Sequence, residues 1–431
     1  MTRTLRRLAA LVLLLLPFAA TAQVEVDVVG GTASALPIAV VPFSGGAGGD
    51  DNIGAIIAND LARSGSFRTL PDRDLVERPT ASSEVNYPTW RALQQEFLLV
   101  GRALPEGGNL RVEYELFDVA KQQRILGEAK IAPAAASRDL AHQVADAVYE
   151  KILGVRGAFW TRIAYVTASG TGNNRHYNLM VADSDGHNSQ DVVSSPQPIL
   201  SPSWSPDGKR LAYVSFDRGN SAIYIQNLAS SGRELVASFR GINGAPSFSP
   251  DGSKLALTLS RSGNPEVYVM DLGSKQLRQI TNHFGIDTEP VWSADGGTIY
   301  FTSDRGGRPQ IYQASAGGGG ATRLTFSGSY NARATVSADG KKIATAQGNG
   351  NTYRIALMDR AQGNRWTPLS PGNLDESPSF APNASMLLYA AKEGGRSVLY
   401  TVSADGRARA RLPVQGASVQ EPAWGPYRQK R

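Results

Sequence analysis

The segment Pro202-Ser203-Trp204-Ser205-Pro206-Asp207-Gly208 returns as Pro246-Ser247-Phe248-Ser249-Pro250-Asp251-Gly252 and again as Pro290-Val291-Trp292-Ser293-Ala294-Asp295-Gly296. Weaker copies begin at Ala334, Pro378 and Pro422, so six copies stand at one constant step of 44 residues. A fixed period with drifting residues marks a structural repeat, in which each unit buries its apolar face against its neighbours.

Each copy has a physical reading. Ser-Pro-Asp-Gly is a tight turn, because Pro presets φ and Gly accepts the positive φ that other residues resist. The Trp or Phe ahead of it supplies one large ring to pack between neighbouring sheets. Residues 211–215, 255–259 and 299–303 then read as a second strand, followed by a Gly-rich hairpin such as Asp304-Arg305-Gly306-Gly307. Residues 222–226, 266–270 and 310–313 form a third strand, and 277–280 and 322–324 a weaker fourth. Four short strands in about 44 residues is the size of a propeller blade. The abundance of turn formers, 45 Gly and 24 Pro without collagen periodicity, agrees with many short strands.

The ends of the array point to a closed ring. Residues 163–167 and 178–182 are second- and third-strand elements with no first strand before them, and the copy at Pro422 has no strands after it. The final strand is therefore expected to complete the first blade, closing six blades and removing open edges. An open solenoid is the alternative, and it requires capping repeats.

Ahead of the repeat, residues 1–22 read as a secretory signal. Arg3, Arg6 and Arg7 precede an apolar run from Leu8 to Leu16, then Pro17 and the small-x-small site Ala20-Thr21-Ala22. That run is too short to span a bilayer. Cleavage after Ala22 delivers a periplasmic chain and lowers the formal charge from +6 to +3. No Lys/Arg stripe or block stands out beyond the Arg428-Lys430-Arg431 tail, so nucleic acid is not an expected partner. With no cysteine in the chain, disulfides and thiolate chemistry are excluded, and no lipid-acceptor thiol exists.

Residues 23–158 lack the period and read as a small α/β domain, with the propeller occupying 159–431. Residues 37–43 form a buried strand, and Ile53, Ile56, Ile57 and Leu61 share one face of a helix ending near Gly65. Strands follow around 97–100, 111–119 and 124–130. A closing helix begins near Ser137, its expected N-cap, with Leu140, Val144, Val148 and Ile152 on the apolar face. Residues 154–157 make the joint. The stretch 23–34 alternates Val24, Val26 and Val28 with Glu25 and Asp27, which suits an edge strand or an arm captured by strand pairing.

The search for catalytic chemistry comes back empty. No Gly-x-Ser-x-Gly elbow is present, and no domain remains to carry a catalytic triad. His142, His176, His187 and His283 are scattered without metal-ligand spacing and read as solvated. Asp183-x-Asp185-Gly186-x-Asn188 looks faintly like a calcium loop, but its Gly is displaced and no bidentate Glu follows, so it reads as a turn. No catalytic residue, metal or cofactor is expected. An envelope hydrolase or lyase is the competing reading and requires titratable groups clustered in the central canal. A purely structural envelope protein is a third.

Alternating strands place all Ser-Pro-Asp-Gly turns at one mouth of the propeller. The other mouth collects residues 243–245, Thr288 and Glu289, Glu376 and Glu421, with Arg218, Arg261 and Arg305 on its hairpins. Carboxylates beside the inner-strand Pro suit a partner presenting Lys or Arg, or they solvate loops.

These residues also carry a resemblance. The mature chain resembles the TolB family, periplasmic propellers of the Tol-Pal system, through residues 37–43, 53–67, 195–208 and the joint segment 156–166. Asn243-Gly244-Ala245-Pro246, Thr288-Glu289-Pro290 and Asp375-Glu376-x-Pro378 match as well. The joint is more distinctive than the blade motif, which many propellers share. The resemblance implies a monomeric binding protein, peripheral to the outer membrane, whose mouth holds the peptidoglycan-associated lipoprotein Pal. By position, Asn243, Ala245 and Thr288 fall in the Pal-contacting loops, and Ile242 stands where the family often has His. It further implies that TolA reads the arm, through Glu25, Val26, Asp27 and Val28, and that the complex serves outer-membrane integrity and constriction at division.

Overall fold

A computed structural model describes residues 26–28, 35–414, 416 and 418–429. The signal segment, Glu25 and the last two residues lie outside the described residues. The chain is mainly β, with a small α/β region set on a six-bladed propeller.

The α/β region is built on one mixed sheet. Strand β1 (Val26–Val28) belongs to the propeller; β2 (Leu36–Val40), β3 (Phe67–Thr69), β4 (Phe97–Glu106), β5 (Asn109–Asp118) and β6 (Gln123–Pro133) form the sheet in the order β3-β2-β4-β5-β6. β2 is parallel to both neighbours, hence its continuous apolar run, whereas β4 to β6 is an antiparallel meander. Helix α1 (Ile53–Arg63) starts at Asn52, whose side chain accepts from Gly54 N at 2.9 Å. Ile53, Ile56, Ile57 and Leu61 are buried as their spacing requires. A short helix α2 (Tyr87–Ala92) buries Trp90. Helix α3 (Ser137–Leu153) buries Leu140, Val144 and Val148. Its N-cap position is Ala136 without a side-chain bond, so Ser137 is the first helical residue and not the cap.

The propeller blades are four-stranded antiparallel sheets. Blade II runs Ile199–Trp204, Arg210–Ser215, Ala222–Asn227 and Arg233–Ala237. Blade III opens at Asn243–Phe248, blade IV at Asp287–Trp292, blade V at Tyr330–Val336 and blade VI at Glu376–Phe380. Blade I takes its innermost strand from the chain's end: Ser418–Trp424 pairs with Arg162–Ser169, placing Trp424 opposite Ile163. The ring thus closes as the repeat ends required. Strand β1 adds a fifth strand to blade VI, with Val26 opposite Ala410 and Val28 opposite Ala408.

Two features of the motif explain its spacing. In the turns, Ser205 Oγ accepts from Arg210 N while Asp207 Oδ1 accepts from Lys209 N, and Gly208 sits at φ 66°. The rings reach back to the preceding blade: Trp204 Nε1 donates to Ala423 O at 3.1 Å, and Trp292 Nε1 to Ser247 O at 3.0 Å. Blades II and IV are therefore stitched to the preceding blade by a buried aromatic with a satisfied polar edge.

The α/β region sits on the turn end of the ring. Asn383 Nδ2, in blade VI's first turn, donates to Arg156 O, and Gly65 abuts Ser403 in that blade's third-to-fourth strand turn. The loops entering each inner strand open at the opposite end, clear of this contact.

Candidate partner-binding site

The inner strands share a backbone device that forms the canal. Ser201, Ala245, Glu289, Arg333, Ser377 and Glu421, again 44 residues apart, all have φ between 44° and 56°. At each, the pairing with the second strand breaks register. These are β-bulges held in the left-handed region by non-glycine residues, a strain that recurs at functional sites. Five of the six precede Pro, which itself disfavours the right-handed helical region for the residue before it. The six line a cavity of about 280 Å³ at the canal.

One residue the sequence reading passed over dominates this ring. The Arg333 guanidinium reaches Glu289 Oε1 at 3.1 Å and Glu421 through two bonds of 2.8 and 2.9 Å, and also donates to Ser377 Oγ. Its backbone N donates to Glu289 Oε2 at 3.0 Å. Burial opposes its charge, but Glu421 and Glu289 outweigh that and hold its pKa above the usual value. Glu289 and Glu421 are therefore committed to the chain's own arginine, which corrects the expectation that they wait for a partner's Lys or Arg. The 44-residue step, applied one residue ahead of Ala334, was the signal that finds Arg333.

The other expected residues divide into contact and support. Ile242 is 50% exposed, Glu376 is exposed, and Ala245 and Thr288 are half-buried beside the canal. Asn243 is wholly buried: its amide donates to Phe239 O, Ser221 O and Gly241 O, and its Oδ1 accepts from Phe239 N. It shapes the loop that presents Ile242 and cannot itself touch a partner. Arg305 bonds buried Asp287, and Arg261 lies over the Phe239 ring, so these hairpin arginines are also engaged.

Around the canal runs an apolar rim. Ile242, Ile286 and Leu374 occupy matching places in three of the loops, joined by Phe284 and Phe326, which are 86% and 74% exposed. Large exposed aromatics at one mouth are a kind of surface that suits a protein partner. The mouth thus offers an apolar crescent around a polar centre in which one arginine faces two carboxylates.

A second polar cluster lies at the opposite end. His142 in α3 is 1% exposed, so its reading as a solvated residue is wrong. Its Nδ1 meets Asp60 Oδ2 at 2.6 Å and its Nε2 lies 3.6 Å from Asp185 Oδ2. Arg63, equally buried, bonds Asp60 and reaches Ser184 O and Oγ at 3.1 and 2.7 Å. The turn after blade I's third strand is thus a docking element for the α/β region. His142, Asp183 and Asp185 present donor atoms within 4.8 Å of one another. Yet Arg138 bonds Asp185 Oδ2 and Asn188 bonds Asp183 Oδ2, so the carboxylates already have partners without a metal. Burial alone would lower the His142 pKa, but Asp60 and Asp185 push it up to about 9, making it an imidazolium at neutral pH.

Comparison with known proteins accounts for both regions. The profile of the TolB amino-terminal domain matches residues 24–125, and that of the TolB beta propeller domain matches residues 149–428. The Tol-Pal system protein TolB of Xanthomonas campestris pv. campestris (strain B100) is 66% identical, covering 99% of each chain. That of Xanthomonas oryzae pv. oryzae (strain KACC10331 / KXO85) is equally similar. The crystal structure of TolB from Acinetobacter baumannii superposes with a TM-score of 0.86 at 44% identity, covering 94% of this chain and all of that one. The curated relatives are named as Tol-Pal system proteins, and both matched profiles describe TolB domains and no catalytic family. This chain belongs to the TolB family of Tol-Pal system proteins.

Proposed function

We propose that this protein is exported with cleavage after Ala22 and binds the lipoprotein Pal at the canal mouth as a monomer. Bound Pal makes it peripheral to the outer membrane. The arm around Glu25, Val26, Asp27 and Val28 engages TolA, and the assembly serves outer-membrane integrity and constriction at division. The observation that carries the mouth assignment is the apolar rim of Ile242, Phe284, Ile286, Phe326 and Leu374 on the end clear of the α/β region.

The test is a titration of the mature protein with the soluble domain of Pal. Ile242→Asp places a charge in the rim without touching the core and is expected to abolish binding while the fold persists. Thr288→Trp, which fills the space beside the canal, should act alike. Unchanged binding in both variants would remove the mouth assignment. For the arm, deletion of residues 23–34 should abolish co-purification of TolA and spare Pal.

A further inference from the structure

Successive blades are joined at the mouth by a repeated polar clasp, and one copy carries different chemistry. Between blades IV and V, Asn331 Nδ2 donates to Gln310 Oε1 at 2.9 Å and to Ser327 O at 2.8 Å. Thr325 Oγ1 donates to the same Gln310 oxygen and accepts from Ile311 N. One repeat earlier, between blades III and IV, the corresponding residues are Glu266, Thr281 and Asp287. Thr281 keeps its place, donating to Glu266 Oε2 and accepting from Val267 N. The amide pair, however, has become two carboxyls, 1% and 0% exposed.

The rest of the clasp has adjusted to the loss of the amide. Asp287 has no N–H to give to the carbonyl of His283, and Asn264 Nδ2 bonds that carbonyl instead at 2.9 Å. Arg305 bonds Asp287 Oδ2. Asp287 Oδ1 is buried with no hydrogen-bond partner and lies against the Glu266 carboxyl. His283 N donates to Glu266 Oε1 at 2.7 Å. The other titratable groups facing the pair are His283, whose Nδ1 accepts from Gly285 N, and Asp304, whose Oδ1 accepts from Ile286 N. Two touching carboxylates in an interior with one committed arginine cannot both ionise without a large penalty.

We infer that Glu266 and Asp287 share one proton, which replaces the amide hydrogen bond of the next blade and fastens the loop 281–287 at the mouth. That loop carries Phe284 and Ile286 of the apolar rim and leads directly into Thr288, so the proton regulates the proposed Pal surface. The inference rests on that surface only for its functional consequence. Burial and the adjoining Asp287 carboxylate hold Glu266 above the usual carboxylate range, against the His283 and Thr281 donors. A carboxyl held above its unfolded value favours the folded state while protonated. Its contribution is whole below the unfolded pKa of about 4.3 and is lost as pH rises through the folded value.

The test compares the mature protein with Glu266→Gln, which keeps the hydrogen bond and removes the proton. Urea unfolding and affinity for the soluble domain of Pal are measured from about pH 4 to about pH 8. The wild type is expected to lose stability relative to Glu266→Gln as pH rises, with a limiting slope of about tenfold in the folding constant per pH unit. Its Pal affinity should fall over the same range, while that of Glu266→Gln stays level. Asp287→Asn, which restores an amide donor to the pair, should flatten both profiles too, and serves if Glu266→Gln folds poorly. Parallel stability curves for wild type and variant would overturn the shared proton. If Pal binds no form at any pH, the mouth assignment fails while the stability curves still decide the proton.

Discussion

Arg333 of blade V and Glu421 of blade I, 88 residues apart in the chain, meet across the canal through two parallel bonds of 2.8 and 2.9 Å. Glu289 of blade IV closes the other side. Three blades are thereby tied at the axis, where the aromatic stitching between neighbouring sheets does not reach. Arg333→Met removes the cation that, among the described residues, holds these two carboxylates in the cavity. It is expected to destabilise the protein by about 2 kcal/mol, below the figure for a fully buried pair because the side chains are partly exposed. Arg333→Lys keeps the charge but loses the fork, and should recover only part of the loss in urea unfolding.

The His142 cluster gives a pH dependence of opposite location and definite sign. His142 is pushed up to about 9 by Asp60 and Asp185 against burial, whereas an unfolded histidine titrates near about 6.5. A raised base contributes stability that is complete below the unfolded value and disappears as pH rises through the folded one. Wild type compared with His142→Gln should therefore lose about 3 kcal/mol between about pH 6 and about pH 10. A flat difference across that range in urea unfolding would mean that the buried imidazole is neutral.

Asn243 separates support from contact within one loop. It is fully buried and bonds Phe239 and Gly241 within its own turn and Ser221 beyond it, next to exposed Ile242. Asn243→Ala leaves several buried carbonyls unsatisfied and should cost about 2 kcal/mol in unfolding free energy. It should also weaken Pal, although the residue touches nothing outside the chain, because the loop that aims Ile242 loses its frame. Ile242→Ala should show the reverse pattern, with weakened binding and unchanged stability.

The propeller was readable because its signal is periodic. A constant step from Pro202 to Pro422 fixes the number of blades, and a first blade lacking its inner strand fixes how the ring closes. The same step also carried Arg333 and the rim positions Ile242, Ile286 and Leu374, but only to a reader who extends the register beyond the conspicuous motif. What periodicity could not carry was the junction at the turn end. His142 meets Asp60 and Arg63 meets Ser184 over sequence separations of 82 and 121 residues, through the docking of one fold on another. A lone histidine on a helix gives no sign of such a neighbour. The carboxylates at 289 and 421 misled for a related reason, since a charge at the mouth looks alike whether its counterion comes from outside or from one or two blades away.

The rim yields the sharpest division between folding and binding. Phe284 and Phe326 are 86% and 74% exposed, so truncating them removes almost no buried area. Phe284→Ser and Phe326→Ser should each change stability by less than about 0.5 kcal/mol. An aromatic that becomes buried only in a complex is another matter. Each truncation should weaken Pal binding by about 1 to 3 kcal/mol, which calorimetric titration resolves. The two sit on adjacent loops and would contact one partner together, so the double variant need not equal the sum of the singles. If both single variants bind Pal as the wild type does, the crescent is not the contact surface, and the canal centre around Ala245 and Thr288 must carry recognition alone.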